Sequence, residues 1–142
     1  MPELTIATPD DATVIITATV PMTLDAAYRA FTDARQLAHW FWPETLQASY
    51  QLEVVPGGMW RTRSEIADIG FTAVFGEVEP RDRLAMTWEW DGNDSISKVE
   101  IGFAAAAEGT TVTITHSDNA TPQERDAHRE GWTDCLSRLV AL

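Results

Sequence analysis

The side chains with the most chemical potential in this sequence are three histidines, His39, His116 and His128, and a lone cysteine, Cys135. His116 follows Val112 and Ile114 at period two, so a strand there turns its imidazole onto the apolar face. Such a ring is either a core histidine satisfied by a backbone carbonyl or a water, or an orienting donor or proton acceptor inside an enclosed space. Ser117 and Asp118 come next, but adjacent strand residues point to opposite faces, so His116-Ser117-Asp118 does not form a nucleophilic triad. His128 and Trp132 stand at i and i+4 and share one helix face. Gly131 beside them costs a helix about 1 kcal/mol relative to Ala. The expected reason is clearance for a sheet tryptophan or a ligand, or ordinary close packing.

Other chemistries are excluded by the same residues. The histidines fall on separate elements, with no HExxH and no His or Cys pair at ligand spacing, so no metal site is expected. Gly57-Gly58 is too short for a phosphate loop or a dinucleotide fingerprint and sits in a hairpin, so no cofactor is expected either. One cysteine excludes an intramolecular disulfide and a zinc cluster of several cysteines. Arg61, Arg63, Glu65, Glu77, Glu79 and Glu89 read as a solvated sheet face with cross-strand pairs, not as sheltered catalytic carboxylates.

The elements that must position these residues follow from length and pattern. At 142 residues the chain suits one domain, 1–142, with residues 1–11 as a lead-in and a core from about residue 12. Ten Lys and Arg against 22 Asp and Glu give −12 at pH 7. A field of that sign repels phosphate backbones and anionic headgroups, which argues against nucleic acid and membrane partners. Met1-Pro2-Glu3 opens no secretion signal, and no apolar run approaches the roughly 18 residues of a membrane span, so a cytoplasmic protein is expected. The unusual feature is aromatic: six Trp, five Phe and two Tyr.

Thr13 to Val20 is β-branched and ends at Pro21, as a strand does. Thr23 caps a short helix with Leu24, Ala27, Tyr28 and Phe31 on one stripe, and Asp33 caps a second, with Leu37, Trp40 and Phe41, that Pro43 ends. From Leu46 to Ser117 the pattern is period two, and turn signals at 56–58, 68–70, 79–82, 91–94 and 108–109 separate six strands joined as an antiparallel meander. Thr121-Pro122-Gln123-Glu124 is a capping box with Pro at N1, and it starts a long helix whose stripe is His128, Gly131, Trp132, Cys135, Leu136, Leu139 and Leu142.

Leu84, Met86, Trp88 and Trp90 face one way, as do Val99, Ile101 and Phe103, and Val112, Ile114 and His116. Trp60 and Ile66 face inward with Thr62 and Ser64, whereas Phe71 to Glu79 mixes both registers, as a bulge near Gly76 would make it. One helix cannot cover seven strands, since a helix is about 10 to 12 Å wide and strands are about 4.8 Å apart. The sheet must therefore curl round the helix and leave a hydrophobic pocket. The expected pocket residues are Trp40, Trp60, Phe75, Trp88, Trp90, Phe103, His116, His128 and Trp132, with Trp42 at the mouth or on a partner surface.

Several pieces carry a family resemblance in order. They are Val20-Pro21, Tyr28-Arg29-Ala30-Phe31-Thr32-Asp33, Leu37-Ala38-His39-Trp40-Phe41-Trp42-Pro43 and Pro56-Gly57-Gly58-Met59-Trp60-Arg61. Phe75-Gly76-Glu77-Val78 with Pro80, Arg83-Leu84, Thr87-Trp88, Thr115-His116-Ser117 and His128-Arg129-Glu130-Gly131-Trp132 continue the series. Over roughly residues 12 to 142 the chain resembles the proteins named after the activator of the heat-shock-protein ATPase, within the START and birch-pollen-allergen superfamily of helix-grip folds (SRPBCC). The resemblance implies an α+β helix-grip fold, β-α-α-β6-α, in which a curved seven-stranded antiparallel sheet wraps the C-terminal helix around a cavity.

It does not imply one reaction, because relatives carry ligands, catalyse or assist chaperones. The first expectation is a domain that binds a small apolar or aromatic molecule. The alternatives are a cofactor-independent cyclase, dehydratase or hydrolase using His116 as its catalytic residue, with His128, Thr62 or Ser64 orienting substrate, and a stand-alone module with a chaperone partner. A homodimer is compatible with the sequence.

Overall fold

A computed structural model describes residues 4–142. Eight strands form one antiparallel sheet in the order β1-β2-β8-β7-β6-β5-β4-β3. They are β1 (Leu4–Asp10), β2 (Thr13–Val20), β3 (Ser49–Leu52), β4 (Met59–Ser64), β5 (Ile69–Glu79), β6 (Arg83–Trp90), β7 (Ser97–Ala106) and β8 (Gly109–Ser117). Helices α1 (Leu24–Thr32) and α2 (Ala34–Trp40) separate β2 from β3, and α3 (Pro122–Val140) follows β8. The expected helix-grip arrangement of sheet and C-terminal helix is present, with one strand more than the seven expected.

The additional strand is β1, formed by residues expected as a lead-in. It pairs with β2 through Leu4↔Ala18 to Ala7↔Ile15, and Asp10 Oδ1 accepts from Ala12 N at 2.8 Å in the turn between them. Apart from half-buried Leu4, every residue of β1 is exposed. No core face exists there to impose an alternating pattern, which is why periodicity misses it.

The helix starts follow their caps. Thr23 accepts from Ala26 N in α1, and Asp33 closes α1 and opens α2 by accepting from Arg35 N and Gln36 N. Thr121 caps α3 by accepting from Glu124 N at 3.1 Å, while Glu124 Oε2 accepts from Ala120 N at 2.6 Å. One orphan helix amide and the amide just ahead of the cap are thereby satisfied. Thr121→Ala is expected to lower stability by about 1 kcal/mol in urea denaturation.

The concave sheet face carries the core: Leu84, Met86 and Trp88 on β6, Val99, Ile101 and Phe103 on β7, and Val112, Ile114 and His116 on β8. On β5, Phe71, Ala73 and Phe75 are buried, and the register then shifts between Phe75 and Glu77. That bulge brings Val78 back toward the core out of phase, which accounts for the mixed pattern of the strand. On the other face Arg61 forms a fork with Asp91 at 2.6 and 2.9 Å, and Arg83 pairs with Glu77 and Glu100. Helix α3 rests on β2 and β8 and touches α2. It buries His128, Trp132, Cys135, Leu136, Leu139 and Val140, whereas Leu142, expected on that stripe, lies past the helix end and is exposed. Ile66, expected to face inward with Trp60, likewise lies past the end of β4, in the turn before β5, and is exposed. Among the described residues, no helix is long and apolar enough to cross a membrane.

Candidate functional site

Because α3 seats on the β2 and β8 side of the sheet, the half toward β5 and β6 is not covered by it. A cleft of about 570 Å³ lies there. Its wall on the sheet side is Ile69, Trp88 and Trp90, its wall on α3 includes Ala127, His128, Gly131, Trp132 and Cys135, and the segment after α2 closes it with Phe41, Trp42, Pro43 and Leu46. Asn93, Glu124, Asp134 and Arg138 supply the polar edge.

The polar groups of the edge are engaged with the protein itself. Arg138 donates to the Trp40 and Phe41 carbonyls at 2.9 and 2.6 Å and pairs with Asp134, so it staples α3 to the end of α2. Glu124 holds the Ala120 amide and accepts from Ser95 Oγ at 3.1 Å. Burial pushes the Cys135 thiol up to about 12, with an opposing pull from Arg138. A thiol held protonated in this way is not a nucleophile near neutral pH.

Behind the cleft lies a pair of stacked imidazoles, His116 and His128, with ring centres 3.8 Å apart. An indole N–H can only donate, so each contact with one fixes a tautomer. Trp132 Nε1 donates to His116 Nδ1 at 3.0 Å, leaving the His116 proton on Nε2, where it meets Ser97 Oγ at 2.6 Å. Trp90 Nε1 donates to His128 Nε2 at 2.8 Å, leaving the His128 proton on Nδ1 for Asn119 Oδ1 at 2.5 Å. Asn119 in turn donates to the Ala12 and His116 carbonyls. Burial, and to a lesser extent the neighbouring His128 ring, hold His116 down at about 2. His128 is lowered too, mainly by burial, against an opposing pull from Glu124. The network ties the β1–β2 turn, β6, β7, β8 and α3 together through neutral rings.

Of the expected pocket residues, Trp88, Trp90, His128 and Trp132 line the cleft, together with Trp42. The others are buried elsewhere. Trp60 donates to Thr62 Oγ1 at 2.8 Å deeper in the sheet, and Trp40 donates to the Ala30 carbonyl at 3.0 Å between α1 and α2. Phe103 packs edge-on against Tyr28 and Phe31 under α1, and Phe75 is fully enclosed on β5. His116 is completely buried with both ring nitrogens engaged, so as a catalytic candidate it has no free nitrogen and does not reach the cleft. Phe41, Leu46, Ile69 and Asn119 were not anticipated as site residues.

Comparison with known proteins bears on the same architecture. The family model described as "Activator of Hsp90 ATPase homolog 1-like protein" matches residues 21–142. No curated protein matches. Among solved structures, DynU16, from the dynemicin biosynthetic locus, is 29% identical with a TM-score of 0.80, covering 94% of this chain and 47% of its own. This chain therefore spans about half the length of DynU16. A protein from Rhodobacter sphaeroides is 20% identical with a TM-score of 0.79, over 98% of this chain and 96% of its own. CalU16 from Micromonospora echinospora is 21% identical with a TM-score of 0.74, over 98% and 82% respectively. The last two likenesses concern the fold alone.

Proposed function

The chain belongs to the activator of Hsp90 ATPase homolog 1-like family, and from that premise we propose that it binds one neutral, apolar, ring-containing small molecule in the cleft between α3 and β6. The observation that carries this reading is the wall. Trp42, Trp88, Trp90 and Trp132, with Phe41, Leu46 and Ile69, offer flat apolar surface, while Arg138 and Glu124 at the edge already have partners within the protein. An ionic ligand would have to break those contacts, whereas an apolar ring displaces only water. The volume falls in the range of about 300 to 1,000 Å³ typical of small-molecule sites. The likeness to DynU16, from a biosynthetic locus, also fits a small molecule.

The reading as an enzyme draws less support. A general base needs a nitrogen within reach of substrate, and neither ring of the imidazole pair has one free. The family also fits a chaperone-associated role, and a pull-down with the cognate chaperone separates that role from ligand binding. The direct test is a tryptophan fluorescence titration with a panel of ring hydrocarbons and long-chain lipids. Saturable quenching by the rigid ring compounds is the expected result. A flat response across the panel would overturn the reading.

A further inference from the structure

One side-chain donor stands apart from the rest of the site. Among the described residues, the Trp88 indole N–H is the only buried side-chain nitrogen or oxygen without a hydrogen-bond partner. Four other indoles are satisfied: Trp40 by Ala30, Trp60 by Thr62, Trp90 by His128 and Trp132 by His116. Trp88 is only 2% exposed, yet it forms part of the cleft wall. Phe71 stacks on it at 3.9 Å, and the rings of Trp60, Trp90, Trp132 and His116 surround it at 5.3 to 6.0 Å. Among these neighbours the aromatic surfaces offer no lone pair, and the nitrogens of His116 are taken. Trp88 also belongs to the cleft wall, so a ligand seated there lies against the same ring. A buried polar group left unpaired is costly, and a site that keeps one discriminates strongly in favour of ligands that pair it.

Resting on the ligand-binding reading above, we infer that Trp88 reads the ligand: its indole N–H donates to a neutral acceptor oxygen, of the ketone class, carried on the ring system in the cleft. Charge selects the neutral form. Glu124 and Asp134 stand at the edge, and the whole chain carries −12, so a carboxylate or phosphate would be repelled. A single uncharged donor on an apolar wall suits a carbonyl, which accepts a hydrogen bond without donating one and otherwise presents carbon.

The test uses two probes with one skeleton, fluorene and 9-fluorenone, which differ by a carbonyl. Each is titrated into the wild-type chain and into Trp88→Phe, with the indole N–H resonances followed by nitrogen-15 NMR. The expected result is that Trp88→Phe weakens fluorenone binding about fivefold or more beyond whatever change the lost apolar surface makes to fluorene binding. Fluorenone, but not fluorene, should also move the Trp88 indole proton downfield. If both probes bind and neither the substitution nor the resonance distinguishes them, the role of Trp88 is overturned and the cleft reading stands. If neither probe binds, the cleft reading fails and this inference with it. Should Trp88→Phe not fold, the wild-type resonance alone decides between the same outcomes.

Discussion

Lowering the pH from about 6.5 to about 4.5 is expected to remove about 2 kcal/mol of folding stability through His116 alone. The sign follows from where the ring is neutral. In the unfolded chain a histidine takes a proton below about pH 6.5. In the native state burial holds His116 down at about 2, so over this window only the unfolded state gains the proton. Stability is therefore fully present above the unfolded value and falls by about 1.4 kcal/mol for each pH unit below it. His128 is lowered for the same main reason and adds to the loss. Protonation would also turn Nδ1 of His116 or Nε2 of His128 into a donor facing an indole donor, and would place charge on rings stacked at 3.8 Å. Urea denaturation at a series of pH values measures the slope. His116→Gln should be less stable near neutrality but show a shallower slope, because the ring that fails to titrate is gone. A wild-type stability that stays flat across the window would contradict the neutral pair.

Gly131→Leu is expected to weaken binding of a rigid ring ligand by tenfold or more while leaving the fold intact. A Cβ built at Gly131 meets no atom within 4 Å, although the residue lies in the cleft wall midway along α3. The substitution gives the helix about 0.8 kcal/mol of propensity and its Cβ meets no neighbour, so the melting temperature should hold or rise. The leucine side chain would occupy the space beside Trp132 where a ring would lie. Fluorescence titration with fluorene, set against thermal denaturation of the same variant, separates loss of binding from loss of structure. Unchanged affinity in a folded variant would place any ligand elsewhere.

The parts of this fold legible in the sequence are those fixed by local chemistry. Thr121 and Glu124 mark the start of α3 because capping acts over four residues, and β6, β7 and β8 show their inner faces because alternation is strict where one side is buried. Strand β1 is illegible because it overhangs the core, and the facing of β5 is obscured because its bulge changes phase midway. The site is harder for a related reason. Period two says that Trp60, Phe75, Phe103 and His116 point inward, but not how far along a curved sheet they sit from the gap beside α3. Those four are sealed beneath α1, α2 or their own neighbours, while Trp88, Trp90, His128 and Trp132 line the cleft. Phe41, Leu46 and Ile69 reach it only through the path of the chain between elements. Asn119 acts through the Ala12 carbonyl, more than a hundred residues away in sequence. Its one local hint is its place just ahead of the helix cap.

The most direct measurement on the cleft is the indole region of a nitrogen-15 NMR spectrum recorded with and without a saturating ring ligand such as 9-fluorenone. Trp88, Trp90 and Trp132 line the cleft, whereas Trp40 and Trp60 are buried away from it with their N–H groups held by Ala30 and Thr62. The expected spectrum has the first three indole resonances displaced and the last two unmoved. Unmoved resonances for Trp88, Trp90 and Trp132 under conditions where the ligand is bound would contradict a binding site between α3 and β6.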